Sequence, residues 1–142
     1  MSVDVEGGQR LVVGIDGSEP SERALEWAVD QAARTGAHLE LHAAFDPGYS
    51  FVAPDEVDKE LQARIEQATA AVHERAPGVV VSGVTHQQAP AAALIDASRG
   101  AELLVVGSRG RGGFAGMLLG SVSLHCSLHA HCPVVIVRPP EA

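Results

Sequence analysis

Five short apolar runs stand out along the chain, and most of them are continuous and rich in β-branched residues. Continuous apolar strands are typical of a parallel sheet that is buried on both faces, whereas half-exposed strands alternate apolar and polar residues. The pattern therefore predicts five buried strands. They cover residues 11–15, 39–45, 79–84, 102–107 and 133–138.

Four stretches with helical spacing separate these runs. Ser18 or Ser21 can cap the first helix, Pro20 lies in its first turn, and Gly36 suits its C-terminal cap. The other helices are predicted over 54–76, 90–99 and 121–131, the last with Ser121 as its N-cap. Because strand and helix alternate, we expect residues 1–142 to form one α/β domain: a doubly wound, Rossmann-like, five-stranded parallel sheet with helices on both faces.

Composition excludes several classes of protein. The formal net charge of −8 argues against general nucleic-acid binding, which needs a basic face. Two cysteines are too few for a disulfide framework. The acidic, polar N-terminus is unlike a signal peptide, and no apolar run approaches the roughly 18–20 residues of a membrane-spanning helix. We therefore expect a cytoplasmic protein with neither a nucleic acid nor a membrane as partner.

The charges are unevenly distributed. Residues 103–140 contain no aspartate or glutamate but do contain Arg109, Arg111 and Arg138. Within this segment, residues 107–121 (GSRGRGGFAGMLLGS) include six glycines. An acid-free, glycine-rich segment in an acidic protein is what an anion site requires, although a buried sheet-and-helix region would also lack acids.

The predicted fold indicates where a ligand would bind. In such sheets, ligands bind beyond the carboxyl ends of the strands, where the strand order reverses. The first predicted strand is followed by Asp16-Gly17-Ser18, and the fourth ends in Gly107-Ser108-Arg109-Gly110. If these two strands are neighbours, both loops open into one crevice.

Most phosphate-binding motifs do not fit the glycine-rich stretch. A P-loop needs a lysine after its last glycine, and the only lysine is Lys59. Residues 110–115 match the loose dinucleotide form G-x-G-x-x-A, but no acid stands about twenty residues further on to bind a ribose. The remaining pattern is Gly107-x2-Gly110-x9-Gly120-Ser121. We expect Gly110 and Gly120 to adopt positive φ angles and to let the backbone approach phosphates closely.

This spacing resembles the signature of the ATP-binding branch of the universal stress protein family. The segments VVGIDGSEPSERAL, LELHAAF and HAHCPVVIVRP are similar to the family's first, second and last strands, so the resemblance covers nearly the whole chain. It implies a protein that binds ATP, with or without Mg²⁺, and regulates stress responses in a nucleotide-dependent way. It also implies a homodimer formed through the last strand.

The same resemblance implies roles for individual residues. Asp16 would contact the ribose or a Mg²⁺ ion, and Ala43 would lie against the adenine, at a position where a larger aliphatic residue is usual. Hydroxyl groups of Ser121 and Ser123 would donate to phosphate oxygens. The full set of implied contacts in the glycine-rich stretch and the following helix is Gly107, Ser108, Arg109, Gly110, Gly120, Ser121, Val122 and Ser123.

Several alternatives stay open. The chain could be a weak Mg²⁺-dependent ATPase, or a dimerising module that binds no nucleotide or a smaller one such as cyclic AMP. Asp16 could act only as a cap partner of the first helix, and Arg109 could be a solvated loop charge. The run HCSLHAHC places His125 and His129 four residues apart on a helix, which could indicate a metal site. The usual zinc-binding spacings are absent, however, and a histidine that interacts favourably with the helix dipole is the simpler interpretation.

Overall fold

A computed structural model describes residues 9–49, 51–109 and 119–140. Its strands are β1 (Arg10–Gly14), β2 (His38–Ala44), β3 (Val81–His86), β4 (Leu103–Gly107) and β5 (Val134–Val137). Its helices are α1 (Glu19–Thr35), α2 (Pro54–Arg75), α3 (Pro90–Ala97) and α4 (Ser121–His129), with a 3-10 turn at Pro47–Tyr49. All strand pairs are parallel, and the strand order is β3-β2-β1-β4-β5.

The sheet separates two apolar layers. Successive residues of a strand point to opposite faces, so Leu11 and Val13 belong to one layer and Val12 belongs to the other. The larger layer contains the buried sides of α1 and α2, and the smaller one contains Leu94 of α3 and Cys126 of α4. The predicted doubly wound parallel sheet with helices on both faces is therefore confirmed.

The first helix begins and ends where its sequence predicts. Ser18 is the N-cap, and its hydroxyl oxygen accepts a hydrogen bond from the Ser21 N–H at 3.3 Å. Gly36 ends the helix with φ of 77°, in the left-handed region that favours glycine. The buried face of α1 is formed by Ser21, Ala24, Leu25, Ala28, Val29 and Ala32.

The start of α4 differs from the prediction. Gly120 is the N-cap and Ser121 is the first helical residue, so the predicted N-cap role of Ser121 is wrong. The Gly120 N–H donates to the Ser108 carbonyl at 2.7 Å, which holds Gly120 in an extended conformation just before the helix. Serine's general preference for the N-cap is overridden by this tertiary hydrogen bond.

The third strand lies two residues later than its apolar run predicts. Its last residues, Thr85 and His86, pair with Ala43 and Ala44 of β2 although they are polar. Val79 is buried but precedes the strand. Pairing with the neighbouring strand therefore decides these boundaries, and apolarity alone misplaces them.

No helix in the described parts of the chain combines the length and the apolarity that a membrane span requires.

Candidate functional site

The loops after β1 and β4 lie at the same edge of the sheet. β1 pairs with β4, with Leu11 opposite Leu103 and Val13 opposite Val105. Because β1 also pairs with β2, the strand order reverses between β1 and β4. Sheets of this kind form a crevice beyond the carboxyl ends of the two strands at the reversal. The first and fourth strands are neighbours, so the condition for both loops to open into one crevice is met.

Asp16 is held at the beginning of α1 by short-range hydrogen bonds. One oxygen of its carboxylate accepts from the Ser18 N–H at 2.9 Å and from the Ser18 hydroxyl. Its own N–H donates to the Ser21 hydroxyl oxygen at 3.2 Å. The side chain therefore has the cap-partner role and is fixed in place at the edge of the crevice. Its contact with a ribose or a Mg²⁺ ion stays a prediction.

Gly107 allows α1 to pack directly against the end of β4. A Cβ atom at this position would lie 2.7 Å from the Pro20 carbonyl oxygen and 2.9 Å from the Pro20 Cβ. Distances below 3.0 Å are not tolerated without movement, and the Pro20 carbonyl belongs to the backbone of a helix. The close approach that Gly107 permits in this structure is therefore that of a helix.

The expected backbone conformation of Gly120 is wrong. Its φ is −79°, and the described glycines with positive φ are Gly17, Gly36 and Gly100. Gly120 is buried, and its N–H is used in the contact with Ser108. Gly110, for which the same conformation is expected, lies outside the described residues.

Ser108 joins three parts of the fold at the base of the glycine-rich stretch. Its carbonyl oxygen accepts from the Gly120 N–H at 2.7 Å and from the Ser123 hydroxyl at 2.8 Å. Its N–H donates to the Val137 carbonyl of β5 at 3.0 Å. Ser108 and Ser123 are each only 2% exposed. The Ser123 hydroxyl thus donates within the protein, and its contact with a phosphate stays a prediction.

The N-terminus of α4 lies next to the hydrogen bonds that Ser108 makes. Ser121 is exposed at the first turn, and Val122 packs partly against the smaller apolar layer. Arg109 is partly exposed immediately after Ser108. A helix N-terminus presents N–H groups without helical partners and a partial positive charge, and an arginine nearby adds to the attraction for an anion.

Ala43 lies inside the larger apolar layer and has no exposed surface. Its side chain faces the layer that α1 and α2 cover, near the carboxyl end of β2. An adenine ring could therefore contact Ala43 only if the residues around this strand end rearranged. The adenine contact of Ala43 stays a prediction.

The histidines and cysteines of the run 125–132 do not form a metal centre in the described residues. No group of three or more histidine, cysteine, aspartate or glutamate side chains in those parts of the chain is arranged to hold a metal ion. The rings of His125 and His129 are 6.5 Å apart, and His125 Nδ1 lies 2.8 Å from the Ser121 carbonyl oxygen. Burial raises the pKa of the Cys126 thiol to about 11, which disfavours the thiolate that metals bind.

Two partners of the site are not predicted from sequence. Pro20 contacts the end of β4 through Gly107, and Val137 binds the Ser108 N–H. A glycine at the last position of an otherwise β-branched strand is a signal of close backbone approach, so Gly107 could have indicated the first contact. No sequence pattern identifies Val137, because its carbonyl acts only through the backbone.

The chain is similar to proteins of one family along nearly its whole length. A sequence model described as the universal stress protein family matches residues 8–138. A universal stress protein of Mycobacterium tuberculosis is 44% identical over 136 residues, which cover 90% of this chain and 45% of that protein. The chain thus spans about half the length of the curated relatives it matches.

Solved structures have the same fold. A universal stress protein crystallised in complex with cAMP is 31% identical, with a TM-score of 0.74 and coverage of 92% of this chain and 97% of that one. A universal stress protein from Archaeoglobus fulgidus in complex with dAMP is 21% identical, with a TM-score of 0.71 and coverage of 90% and 96%. At that identity, the second likeness supports the fold alone.

Proposed function

Because this chain belongs to the universal stress protein family, we propose that it binds an adenine nucleotide in the crevice between β1 and β4, and that this nucleotide is ATP. The observation that carries the proposal is the hydrogen bonding of Ser108 to Gly120 and Ser123. It joins the end of β4 to the start of α4, so the glycine-rich stretch between them begins and ends at the crevice. The cAMP complex of a 31% identical relative supports the proposal that the ligand is an adenine nucleotide.

Electrostatics favour the phosphate chain at this place. Residues 103–140 carry no acid, and Arg109 directly follows Ser108, whose carbonyl oxygen accepts from the N-cap residue of α4. An anion near a helix N-terminus is stabilised by about 0.3–1 kcal/mol through the dipole alone. The three phosphates of ATP gain more from such a site than the single phosphate of AMP or cAMP.

Asp16 is the acid that the proposal places beside the ligand. Mg²⁺ binds through one or two carboxylates together with phosphate oxygens, so a single fixed carboxylate at the crevice fits a Mg²⁺ held mostly by ATP. A ribose hydroxyl fits the same carboxylate as a hydrogen-bond donor. When bound, Mg²⁺ would neutralise part of the charge on the phosphates.

We also propose that the protein acts as a nucleotide-dependent regulator in stress responses and forms a homodimer through β5. β5 is an edge strand, and all four of its residues are only partly buried. An apolar, uncharged edge strand pairs readily with another strand, and pairing with a second copy about a two-fold axis would satisfy its free backbone groups.

Calorimetry with ATP, AMP and cAMP, with and without Mg²⁺, tests the nucleotide. We expect ATP to bind most tightly. Preference for cAMP would replace ATP as the ligand, and absence of binding by all three would refute the proposal. Single-turnover incubation with ATP should release no ADP, and release would favour the ATPase alternative.

The variant Asp16→Asn tests the site itself. The amide oxygen can still accept from Ser18, but the charge is lost, so we expect ATP to bind about tenfold or more weakly. Asp46→Asn is the matched control, because Asp46 also accepts from the N–H two residues further on, that of Gly48, at 2.9 Å. Equal losses with Mg²⁺ and in EDTA favour the ribose role, and a loss only with Mg²⁺ favours the metal role. Unchanged affinity in both conditions refutes both.

Light scattering coupled to gel filtration tests the dimer. We expect twice the mass of the 14.7 kDa chain. Ile136→Lys on β5 should reduce this mass, whereas Val84→Lys on the opposite edge strand should not. A wild-type monomer at tens of micromolar would refute the dimer.

A further inference from the structure

A row of polar side chains lies on β2 and β3, on the sheet face opposite the larger apolar layer. Glu40 and His42 lie two residues apart on β2, so both point to the same face. In the pairing of β2 with β3, Ala44 lies opposite His86, which places His86 on that face as well, one step from His42. We call Glu40, His42 and His86 the histidine cluster.

The members of the histidine cluster are joined by short hydrogen bonds. His42 Nε2 lies 2.6 Å from Glu40 Oε1, and His42 Nδ1 lies 2.7 Å from His86 Nε2. The ring planes differ by 13° and the ring centroids are 5.0 Å apart. That separation is about the largest that two imidazoles with nitrogens in contact can have. The rings therefore meet edge to edge in a hydrogen bond lying in their plane, and they do not stack face to face.

This contact can hold one proton between the rings. The Glu40 carboxylate accepts, so His42 Nε2 carries a hydrogen. If His42 is neutral, its Nδ1 is an acceptor and His86 donates. If His42 is charged, its Nδ1 donates and His86 must offer a lone pair. When both rings are charged, two N–H groups face each other and the contact breaks. The pair thus keeps its hydrogen bond with no charge or with one charge, but not with two.

The surroundings of the pair do not favour positive charge on both rings. Glu40 attracts positive charge, but it also accepts from Arg10 Nη1 at 2.9 Å. Burial and the charge of His42 lower the pKa of His86, and the charges of Asp96 and Glu40 oppose this only in part. The groups that face the pair are Arg10 of β1, His38 and Glu40 of β2, and Asp96 of α3, with His38 itself bonded to Ser82 of β3 at 2.9 Å.

The His86 ring can move out of the contact between the two histidines more easily than the His42 ring can. His42 is only 5% exposed and belongs to an inner strand, whereas His86 ends an edge strand whose residues Ser82, Gly83 and Val84 are exposed. The His86 carbonyl also accepts from the Phe45 N–H at 3.0 Å, so its backbone closes the end of the pairing between β2 and β3. A second proton would therefore displace His86.

We propose that His42 and His86 form a proton-operated latch, which ties the end of β3 to β2 while the pair carries at most one positive charge and releases it when both rings are charged. The folded state with the latch closed binds fewer protons than the open state. Acid therefore favours opening, and the effect is present between the pKa of free histidine, about 6.5, and the lower pKa of His86. Above that window the latch stays closed.

Amide hydrogen exchange of Phe45 measures the latch on the intact chain. After correction for the intrinsic exchange rate, we expect the opening constant to rise up to about tenfold for each pH unit lost within the window, because one proton is taken up. Nitrogen-15 NMR of the histidine rings should show His86 gaining its proton at lower pH than a free histidine. A pH-independent Phe45 opening constant, or His86 titrating as a free histidine, would overturn the proposal.

His86→Gln supplies a second test. The glutamine amide can donate to His42 Nδ1 but carries no charge, so the pH dependence of Phe45 opening should disappear. His73→Gln changes an exposed histidine of α2 and should keep the wild-type dependence. If His86→Gln keeps that dependence, or if His73→Gln loses it, the pair is not the latch.

Discussion

Replacing Gly107 with alanine tests how closely α1 packs on β4. The new Cβ would lie 2.7 Å from the Pro20 carbonyl oxygen and 2.8 Å from its carbon, whereas ordinary contact begins at 3.4 Å. Both atoms belong to the backbone of the first turn of α1, so no side-chain rotation can relieve the clash. The start of the helix must withdraw by several tenths of an ångström.

The cost follows from what α1 buries. Six residues of its buried face pack on the sheet, and a gap of about 0.5–1 Å forfeits roughly a quarter to a half of a van der Waals contact. Overpacking of this kind costs about 1–3 kcal/mol, and alanine recovers about 0.5–1 kcal/mol of backbone entropy relative to glycine. We therefore expect Gly107→Ala to lower the free energy of unfolding by about 1–2 kcal/mol.

Thermal unfolding followed by far-UV circular dichroism measures this loss. For a chain of this size, it corresponds to a decrease in Tm of roughly 3–8 °C. Gly78→Ala is the matched control, because nothing lies within 4 Å of its added Cβ and its φ is not positive. It should leave Tm unchanged or raise it slightly. A Gly107→Ala protein that melts with the wild type would refute the argument from close packing.

Three further predictions concern other contacts. Arg10→Gln should lower the free energy of unfolding by about 2 kcal/mol, because it removes charged hydrogen bonds to Glu40 and to the Ala97 and Arg99 carbonyls. Urea titration measures this loss, and an unchanged unfolding midpoint would contradict the prediction. Ser123→Ala should lower the free energy of unfolding by about 1 kcal/mol in the same assay, because it removes the hydrogen bond to the Ser108 carbonyl. Ser127→Ala changes an exposed hydroxyl of the same helix and should cost less. Equal effects would show that the bond between Ser123 and Ser108 contributes nothing to stability. Iodoacetamide at pH 8 should modify Cys132 before Cys126, whose thiol is fully buried with a pKa raised to about 11; mass spectrometry showing Cys126 labelled first would refute this.

Much of the fold can be predicted from sequence because strand burial leaves a direct trace. The sequence predicts all five strands, and β1, β2 and β4 are buried as a strand covered on both faces must be. The prediction of burial is wrong for the edge strands, because β3 is largely exposed and β5 only partly buried. The third strand was misplaced by two residues, because Thr85 and His86 are held by their pairing with β2 and not by burial. The predicted N-cap of α4 is wrong because the hydrogen bond that Gly120 donates to the Ser108 carbonyl, distant in sequence, overrides local preference.

The candidate site is predicted less completely. The positions of Asp16 and Gly107 at one edge follow from the parallel direction of the strands, which the alternation of elements implies. The adjacency of β1 and β4 comes from the structure. The internal use of the Ser123 hydroxyl does not follow, since its acceptors are backbone carbonyls brought together only by the fold. The histidine cluster has a signal in the run LELHAAF, where Glu40 and His42 interrupt the apolar pattern at alternate positions and therefore share one face of β2.

The hydrogen bonds at Ser108 have a consequence for how this protein can be altered. They close the ends of the stretch 109–119 independently of what lies between them, and they anchor that closure to β5. Lengthening a segment whose ends are already fixed is inexpensive, at about 0.6 kcal/mol for each doubling when the segment is flexible. We therefore expect insertions, deletions and exchanged segments between Arg109 and Leu119 to leave the register of the sheet intact.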